Sequence, residues 1–440
     1  MNYCGYVTKI TKIEKHPNAD RLQIGRCFGN QVIIDLNVKE NDIGVYFPSD
    51  GQLSNEYCKV NNLVRKKDEQ GKNIGGYLDP NKRHIRALKL RGQISDGLFM
   101  PLESLASFID ISTLAELEMI DVLNGVEICK KYIPVMNGVK QDKTRGNPKK
   151  KTKMLNRFSY PIFHEHIDTK QLMYNLGQFN PGDVCYITLK MHGTSARTSN
   201  TLVKHKKYYR VLKKKIYELL KKKPYTEHIK WATTTGTRRV ILKSFEGGYH
   251  GDNNFRGLYH KLFEGKLFKG ETIYYEIVGY TDRNKPIMGT VKNSKTNDKE
   301  FLKKYGEKTV YSYGCEEGQS DIYIYRMTLT NEDGYEIDYP WDLVKTRAEY
   351  FGVKTVPELE RFIFTTEEDL LNRVESFCGG VDPVGKTHIR EGIVIRIEGK
   401  ERFKALKHKN EYFKILEGII KDAGVIDAEE AEEIRGEDDE

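Results

Sequence analysis

Ile187-Thr188-Leu189-Lys190-Met191-His192-Gly193-Thr194-Ser195-Ala196-Arg197 is the stretch on which the reading of this chain turns. A β-prone apolar run, Val184 to Leu189, ends abruptly in a lysine, and a glycine and two hydroxyl residues follow within five positions. Lysine is rarely placed where water is scarce. A lysine closing a buried strand therefore either reaches out to solvent or sits in a pocket. In a pocket, desolvation and neighbouring cations lower the pKa of the amine, and neutral amine is the form that attacks phosphorus or a carbonyl carbon. A thousandfold gain in neutral amine at pH 7 follows from a pKa drop of about three. Gly193 allows close approach of the backbone to a phosphate, and Thr194 and Ser195 offer donors to it. These eleven residues leave both alternatives open, so the rest of the chain must decide.

At 440 residues the chain exceeds one ordinary hydrophobic core, and two or three domains are expected. Hydrophobic content is low at 38%, but 27 Tyr and 18 Phe supply large side chains for packing. The net charge of +9 conceals local asymmetry. Lys140 to Arg157 holds eight basic residues and one acid, and Lys204 to Lys223 holds ten and one. Asp427 to Glu440 reverses the sign, with nine acids against Arg435. Two basic patches favour a polyanionic partner, of which nucleic acid is the commonest. The seven cysteines are scattered, with no C-x-x-C pair and no metal-ligand spacing, so reduced thiols in a cytoplasmic setting are expected. The first residues carry no apolar signal core and no run approaches a membrane span, so no membrane partner is expected.

Tyr3 to about Phe108 reads as short strands with turns: Tyr6–Ile10, Gln31–Asp35, Gly44–Pro48 and Arg86–Leu90. That spacing suits a small barrel. Val64 to Arg83 reads as a surface loop, and Lys140 to Asn156 as a basic linker. A helix is expected at Gln171 to Phe179, preceded by His164, Glu165, His166 and Asp168, a weak metal-ligand candidate. Val211, Leu212, Ile216, Leu219 and Leu220 fall at helical spacing among lysines, the pattern of a basic amphipathic helix. Helices are also expected at Pro340–Tyr350, ending at Gly352, and at Glu367–Phe377, opened by Thr365 or Thr366.

Several apolar strands begin or end with a single charged residue. Gly236-Thr237-Arg238-Arg239 enters a strand, and Glu276-Ile277-Val278-Gly279 interrupts one with a carboxylate. Asp321–Met327 alternates aromatics, with Tyr323 and Tyr325 on one parity. Glu391-Gly392-Ile393-Val394-Ile395-Arg396 is led by a carboxylate, and Lys404, Lys407 and Lys409 close the series. Such termini suit a cleft between two antiparallel sheets. Converging cations fit a triphosphate, and one or two carboxylates fit a divalent cation bridging phosphate oxygens.

The same motifs in the same order resemble the covalent nucleotidyltransferases, the polynucleotide ligases and capping enzymes, and most closely the RNA ligases with an N-terminal OB module (RNA ligase family 5). His16-Pro17-Asn18-Ala19-Asp20-Arg21-Leu22 likewise resembles a turn typical of OB modules in tRNA-binding domains. The resemblance implies an α+β chain: an OB-like β-barrel over 1–140, a basic linker over 141–157, and an adenylyltransferase domain over 158–425. That domain would be ATP-grasp-like, with two antiparallel sheets and helices. It would carry the basic insertion 203–230 and be followed by an acidic tail, 426–440.

The family implies an ATP-dependent ligase that uses Mg2+ or Mn2+ and joins RNA 3′-hydroxyl and 5′-phosphate ends, nicked duplex included, as a monomer. Lys190 would take AMP from ATP. His192, Gly193, Ser195 and Arg197 would line the nucleotide, and Arg238 would meet a phosphate. Glu276 would hold the ribose or a metal-bound water, and Glu391 would orient the metal's water shell. Tyr323 and Tyr325 would pack beneath the adenine, and Lys407 and Lys409 would clasp the α-phosphate, with Lys404 as the competing register. Two departures stand out: His192 replaces the commoner aspartate, and Leu189 replaces the glutamate that often reads the adenine amino group. The alternatives are a GTP-dependent capping guanylyltransferase, a DNA ligase, or a non-catalytic RNA-binding protein.

Overall fold

The computed structural model describes residues 3–71, 73–134, 160–204, 229–242, 245, 254–281 and 284–422. The linker 141–157, the amphipathic pattern at 211–220 and the acidic tail 426–440 lie outside these residues.

The N-terminal region is built from short antiparallel ladders. Leu98–Pro101, Ile43–Phe47, Gly5–Lys9 and Met119–Ile120 form one sheet in that order; Lys12–Lys15, Leu22–Cys27 and Asn30–Asp35 form a second. Cys129–Lys131, Gly51–Leu53 and His84–Ile85 form a third. Among the described residues the ladders do not close into the expected barrel. The first strand passes from one sheet to the next at Ile10 and Thr11, whose amides donate to the carbonyls of Asp42 and Arg26 at 3.2 and 2.8 Å. Two apolar clusters share the first sheet: Val7, Val45 and Phe47 pack with Leu53 and Tyr57, while Tyr46 and Phe99 pack with Ile10, Val32 and Ile34. The loop at 64–83 contains one small hairpin, Lys66–Lys67 with Asn73–Gly75.

The His16 turn is a local brace. His16 is 1% exposed, its Nδ1 accepts from the amide of Asn18 at 3.1 Å, and Nε2 faces the carbonyl of Leu90 at 3.3 Å. Asn18 donates to the carbonyl of Arg91 at 3.0 Å. Its side chains thus fasten the Leu88–Leu90/Gln93–Ser95 hairpin.

Beyond residue 160 two larger sheets face each other. Lys404–Lys409, Gly392–Ile397, Val184–Lys190 and Glu358–Ile363 run antiparallel in that order, with Lys170–Gln171 added in parallel at the Lys404–Lys409 edge. The second sheet runs Ile229–Thr237, Thr194–Lys204, Glu271–Gly279, Ser320–Thr330, Glu336–Asp338, all antiparallel, with Lys354–Thr355 joining in parallel. Tyr186, Leu189, Ile277, Ile324 and Trp341 belong to one buried cluster between them. The first sheet's other face buries Cys185, Ile187, Ile393 and Ile395 against Leu370 and Val374 of helix Glu367–Cys378. The Thr366 hydroxyl caps that helix by accepting from the amide of Asp369 at 3.2 Å, and three acids occupy its first turn. Helix Trp341–Phe351 ends as expected at Gly352, whose φ of 68° is left-handed. The helix expected at 171–179 is instead two 3-10 turns, Leu172–Tyr174 and Leu176–Gln178. Lys170–Gln171 is held extended as an edge strand there, and Asn175, at φ −137° and ψ 24°, breaks the helical path between the two turns.

Candidate active site

Strand alternation decides which charges meet. In Lys404–Lys409, residues 405, 407 and 409 point to one face and 404, 406 and 408 to the other. Leu406 is buried toward helix Glu367–Cys378, so Ala405, Lys407 and Lys409 turn toward the opposite sheet and line a cavity of about 240 Å3. Lys404 faces away from it. On the neighbouring strand Val394 and Arg396 share the cavity face, while Ile393 and Ile395 go to the core.

Lys190 pairs with Gly392 across the Val184–Lys190/Gly392–Ile397 ladder, which sets Glu391 beside the lysine. Gly392 has φ 151°, and a Cβ there would stand 2.1 Å from the carbonyl oxygen of His408, so the two strands approach more closely than another residue permits. The Nζ of Lys190 lies 2.6 Å from Oε1 of Glu391, whose side chain is 3% exposed. The same oxygen is 3.8 Å from Lys409 Nζ, and Oε2 is 3.8 Å from Nδ1 of His192. That Oε2 is buried and has no hydrogen-bond partner. Burial lowers the His192 pKa to about 4 despite the nearby Glu391 and Glu417, so the imidazole is neutral. It packs edge-on against Tyr311 and Phe413.

The opposite wall comes from the second sheet. Ser195 is paired with Glu276 and donates its hydroxyl to Glu276 Oε2 at 3.0 Å. Burial raises the Glu276 pKa to about 7, partly offset by Lys190 and by the Ser195 hydrogen bond. Tyr325 lines the cavity, whereas Tyr323 is 3% exposed within the core and does not. The ladder with Glu271–Gly279 shifts register where Tyr274 and Tyr275 pair with Arg326 and Ile324, so Tyr325 is the extra, bulged residue of its strand, while Tyr323 pairs with Glu276 and packs in the core.

Several expected contacts are reassigned. Gly193 lines the cavity, and it is also required by the sheet: a Cβ there would lie 2.3 Å from the carbonyl oxygen of Ile277. Thr194 is buried and accepts from Arg256 at 2.6 Å. Arg197 is buried behind the cavity wall and donates to the carbonyl of Arg238 at 2.8 Å, so it positions the Arg238 loop. Arg238 itself lines the cavity and forms an ion pair with Asp168. The candidate metal cluster at 164–168 disperses. The His164 carbonyl accepts from Tyr274, the His166 ring is buried edge-on to Tyr325, and Asp168 serves Arg238. Among the described residues no group of three or more His, Cys, Asp or Glu side chains is placed to hold a metal ion by itself.

Sequence reasoning missed four contributors. Trp341 and His166 line the cavity, as do Glu417 and Lys421 from the helix Glu411–Asp422. The acid follows the lysine strand by eight residues, yet both its oxygens lie 2.7 Å from Lys409 Nζ. Its helical position, four residues before Lys421, was the one available signal.

No protein-family profile matches the chain, and no curated protein matches it by sequence. Solved structures do. Three are of a Naegleria gruberi RNA ligase: a lysine-to-alanine mutant with ATP and manganese, a lysine-to-methionine mutant with AMP and manganese, and the enzyme with pyrophosphate. The first matches with a TM-score of 0.54 at 15% identity, over 93% of this chain and 98% of that one. The second gives 0.55 at 15% over the same shares, and the third 0.51 at 16% over 93% and 97%. At such identity the likeness is one of fold: a mixed α+β, mostly antiparallel architecture shared with these RNA ligases along nearly the whole chain.

Proposed function

We propose that this chain is an ATP-dependent RNA ligase acting through a covalent lysyl-AMP. The observation that carries the reading is the convergence on one cavity of Lys190, Glu391, Lys407 and Lys409 from one sheet with Glu276 from the other. The Lys190 amine attacks the α-phosphorus of ATP; its N–P bond forms as the bond to pyrophosphate breaks. The AMP then passes to an RNA 5′-phosphate, giving a 5′–5′ pyrophosphate linkage and freeing Lys190. Attack by an RNA 3′-hydroxyl on that 5′-phosphate forms the phosphodiester and releases AMP.

Lys407 and Lys409 are suited to neutralise the α-phosphate, which matters more here than proton transfer. Tyr325 and Val394 offer faces to a base. ATP rather than GTP is favoured by the ATP and AMP in the neighbouring ligase structures, since Leu189 supplies no base-reading carboxylate. A site with two carboxylates, one carrying a buried unpartnered oxygen, fits Mg2+ or Mn2+, which keeps several waters and takes remaining ligands from phosphates. Glu276 and Glu391 would hold such an ion, which when bound neutralises charge developing on phosphate oxygens.

The N-terminal region, 1–140, is read as an OB-type RNA-binding module, followed by a basic linker at 141–157, a catalytic domain at 158–425 and an acidic tail. The chain is taken to act as a monomer. The seven free cysteines suit a reducing, cytoplasmic setting. No helix among the described residues is long and apolar enough to cross a membrane. Incubation with α-labelled ATP or GTP and Mg2+ tests the reading. ATP-dependent label that survives denaturing gels and vanishes in Lys190→Ala supports it. Labelling by GTP alone favours a capping enzyme, and no labelling favours an RNA-binding protein.

A further inference from the structure

The cavity does not end at Lys409. Lys409 sits between two carboxylates, 2.7 Å from both oxygens of Glu417 and 3.8 Å from Glu391. Glu417 lies 3.5 Å from Lys421, and Lys421 pairs with Asp50 of the N-terminal region. Charges of alternating sign thus run unbroken: Lys190, Glu391, Lys409, Glu417, Lys421, Asp50. Five of the six side chains are less than one quarter exposed; only Asp50 exceeds that, at 31%.

The relay is held at both ends by backbone. The Asn410 amide donates to the Glu391 carbonyl at 2.8 Å, and its Oδ1 accepts from the amides of Tyr412 and Phe413, so the turn from the lysine strand into helix Glu411–Asp422 is fixed to Glu391. At the far end the Asp50 amide donates to Ile85 at 2.7 Å and its carbonyl accepts from Tyr132 at 3.0 Å. Two further ion pairs, Lys414–Asp96 and Lys89–Asp298, bind the same helix and its neighbour to the N-terminal region.

We infer that Glu417 is a positioning residue for adenylylation, and that through Lys421 and Asp50 the N-terminal region helps set the position of Lys409 in the nucleotide cavity. This deepens the ligase reading and rests on it. Glu391 is claimed by both Lys190 and Lys409; Glu417 draws Lys409 aside and leaves Glu391 to the nucleophile. Without the Glu417 charge, Lys409 competes for Glu391.

The test uses the full chain with ATP and Mg2+. Glu417→Gln is expected to slow single-turnover lysyl-AMP formation about tenfold at saturating ATP, with a smaller change in ATP KM. Glu417→Asp should restore part of the rate, and the loss in Glu417→Gln should fall on the single-turnover rate rather than on ATP KM; a merely structural role would lower Tm without that split or rescue. Asp50→Asn, which pairs with Lys421 at the far end of the relay, should slow the same step in smaller measure. If Glu417→Gln does not yield folded protein, Asp50→Asn alone decides. A wild-type rate in the folded variant overturns the inference while wild-type labelling leaves the ligase reading standing. Absence of labelling in the wild-type chain overturns both.

Discussion

Lys190 and Glu391 meet at 2.6 Å at the end of two paired strands of one sheet, and the carboxylate is almost wholly buried. A buried carboxylate with one unpartnered oxygen is costly unless something cationic completes it. Here Lys190 and Lys409 both converge on it, at 2.6 and 3.8 Å.

Replacing Glu391 by Gln therefore acts on both chemistry and folding. Lysyl-AMP formation should fall about a hundredfold, as for loss of a central electrostatic group. The variant should also lose about 3 kcal/mol of stability, because two buried cations lose a shared partner. Single-turnover labelling and urea denaturation measure the two effects. Unimpaired labelling would remove Glu391 from the site.

Glu276 imposes a pH dependence with a definite sign. Burial raises its pKa in the folded protein to about 7, against an unfolded value near 4.5. Between these values the folded state retains a proton that the unfolded chain has released, so stability is greatest below the unfolded pKa and falls as pH rises to about 7. The loss is on the order of 1–3 kcal/mol. Glu276→Gln should flatten the slope, as read by denaturation midpoints at pH 5 and pH 8. An identical slope in the variant would contradict the assignment.

Glu271, on the same strand as Glu276, is a purely structural carboxylate. It is wholly buried and accepts from Arg347 through two bonds of 2.9 and 2.6 Å. Glu271→Ala should cost about 3–5 kcal/mol by stranding that guanidinium. A calorimetric Tm unchanged from the parent would show the pair to be dispensable.

Asp168 restrains Arg238 and is 46% exposed. An exposed ion pair contributes about 0–1 kcal/mol, so Asp168→Asn should leave Tm nearly unchanged. With the Asp168 charge removed, the more positive Arg238 loop should bind a 5′-phosphorylated RNA severalfold more tightly, with steeper salt dependence. Filter binding across a salt series checks this, and weaker binding would assign Asp168 to the RNA site instead.

Much of the site was legible because it lies on strands, where alternation and a terminal charge carry through to three dimensions. The Lys404 ambiguity dissolves once Leu406 is seen to be buried, since a residue two positions away shares its face. Tyr323 and Tyr325 part because a bulge at Tyr325 breaks the simple alternation of their strand, and no local pattern encodes that. Glu417 was invisible for a related reason: its helix reads as an ordinary amphipathic segment, and its pairing with Lys409 follows from how that helix packs, through Phe413 and Leu416 on the large core and through Lys414 on the N-terminal region. The His16 turn was legible as a turn, but its side chains are spent on backbone bracing. The barrel expectation is not met: the chain passes from the first sheet to the second at Ile10 and Thr11, and among the described residues no ladder joins the two sheets.

The central claim, a nucleotide joined to one particular amine, is tested most directly by tandem mass spectrometry of the protein after incubation with ATP and Mg2+. The account predicts a mass increase of one AMP, mapped to Lys190 and absent from Lys190→Ala. An unmodified Lys190 in folded protein, or an adduct mapped to another residue, would contradict it.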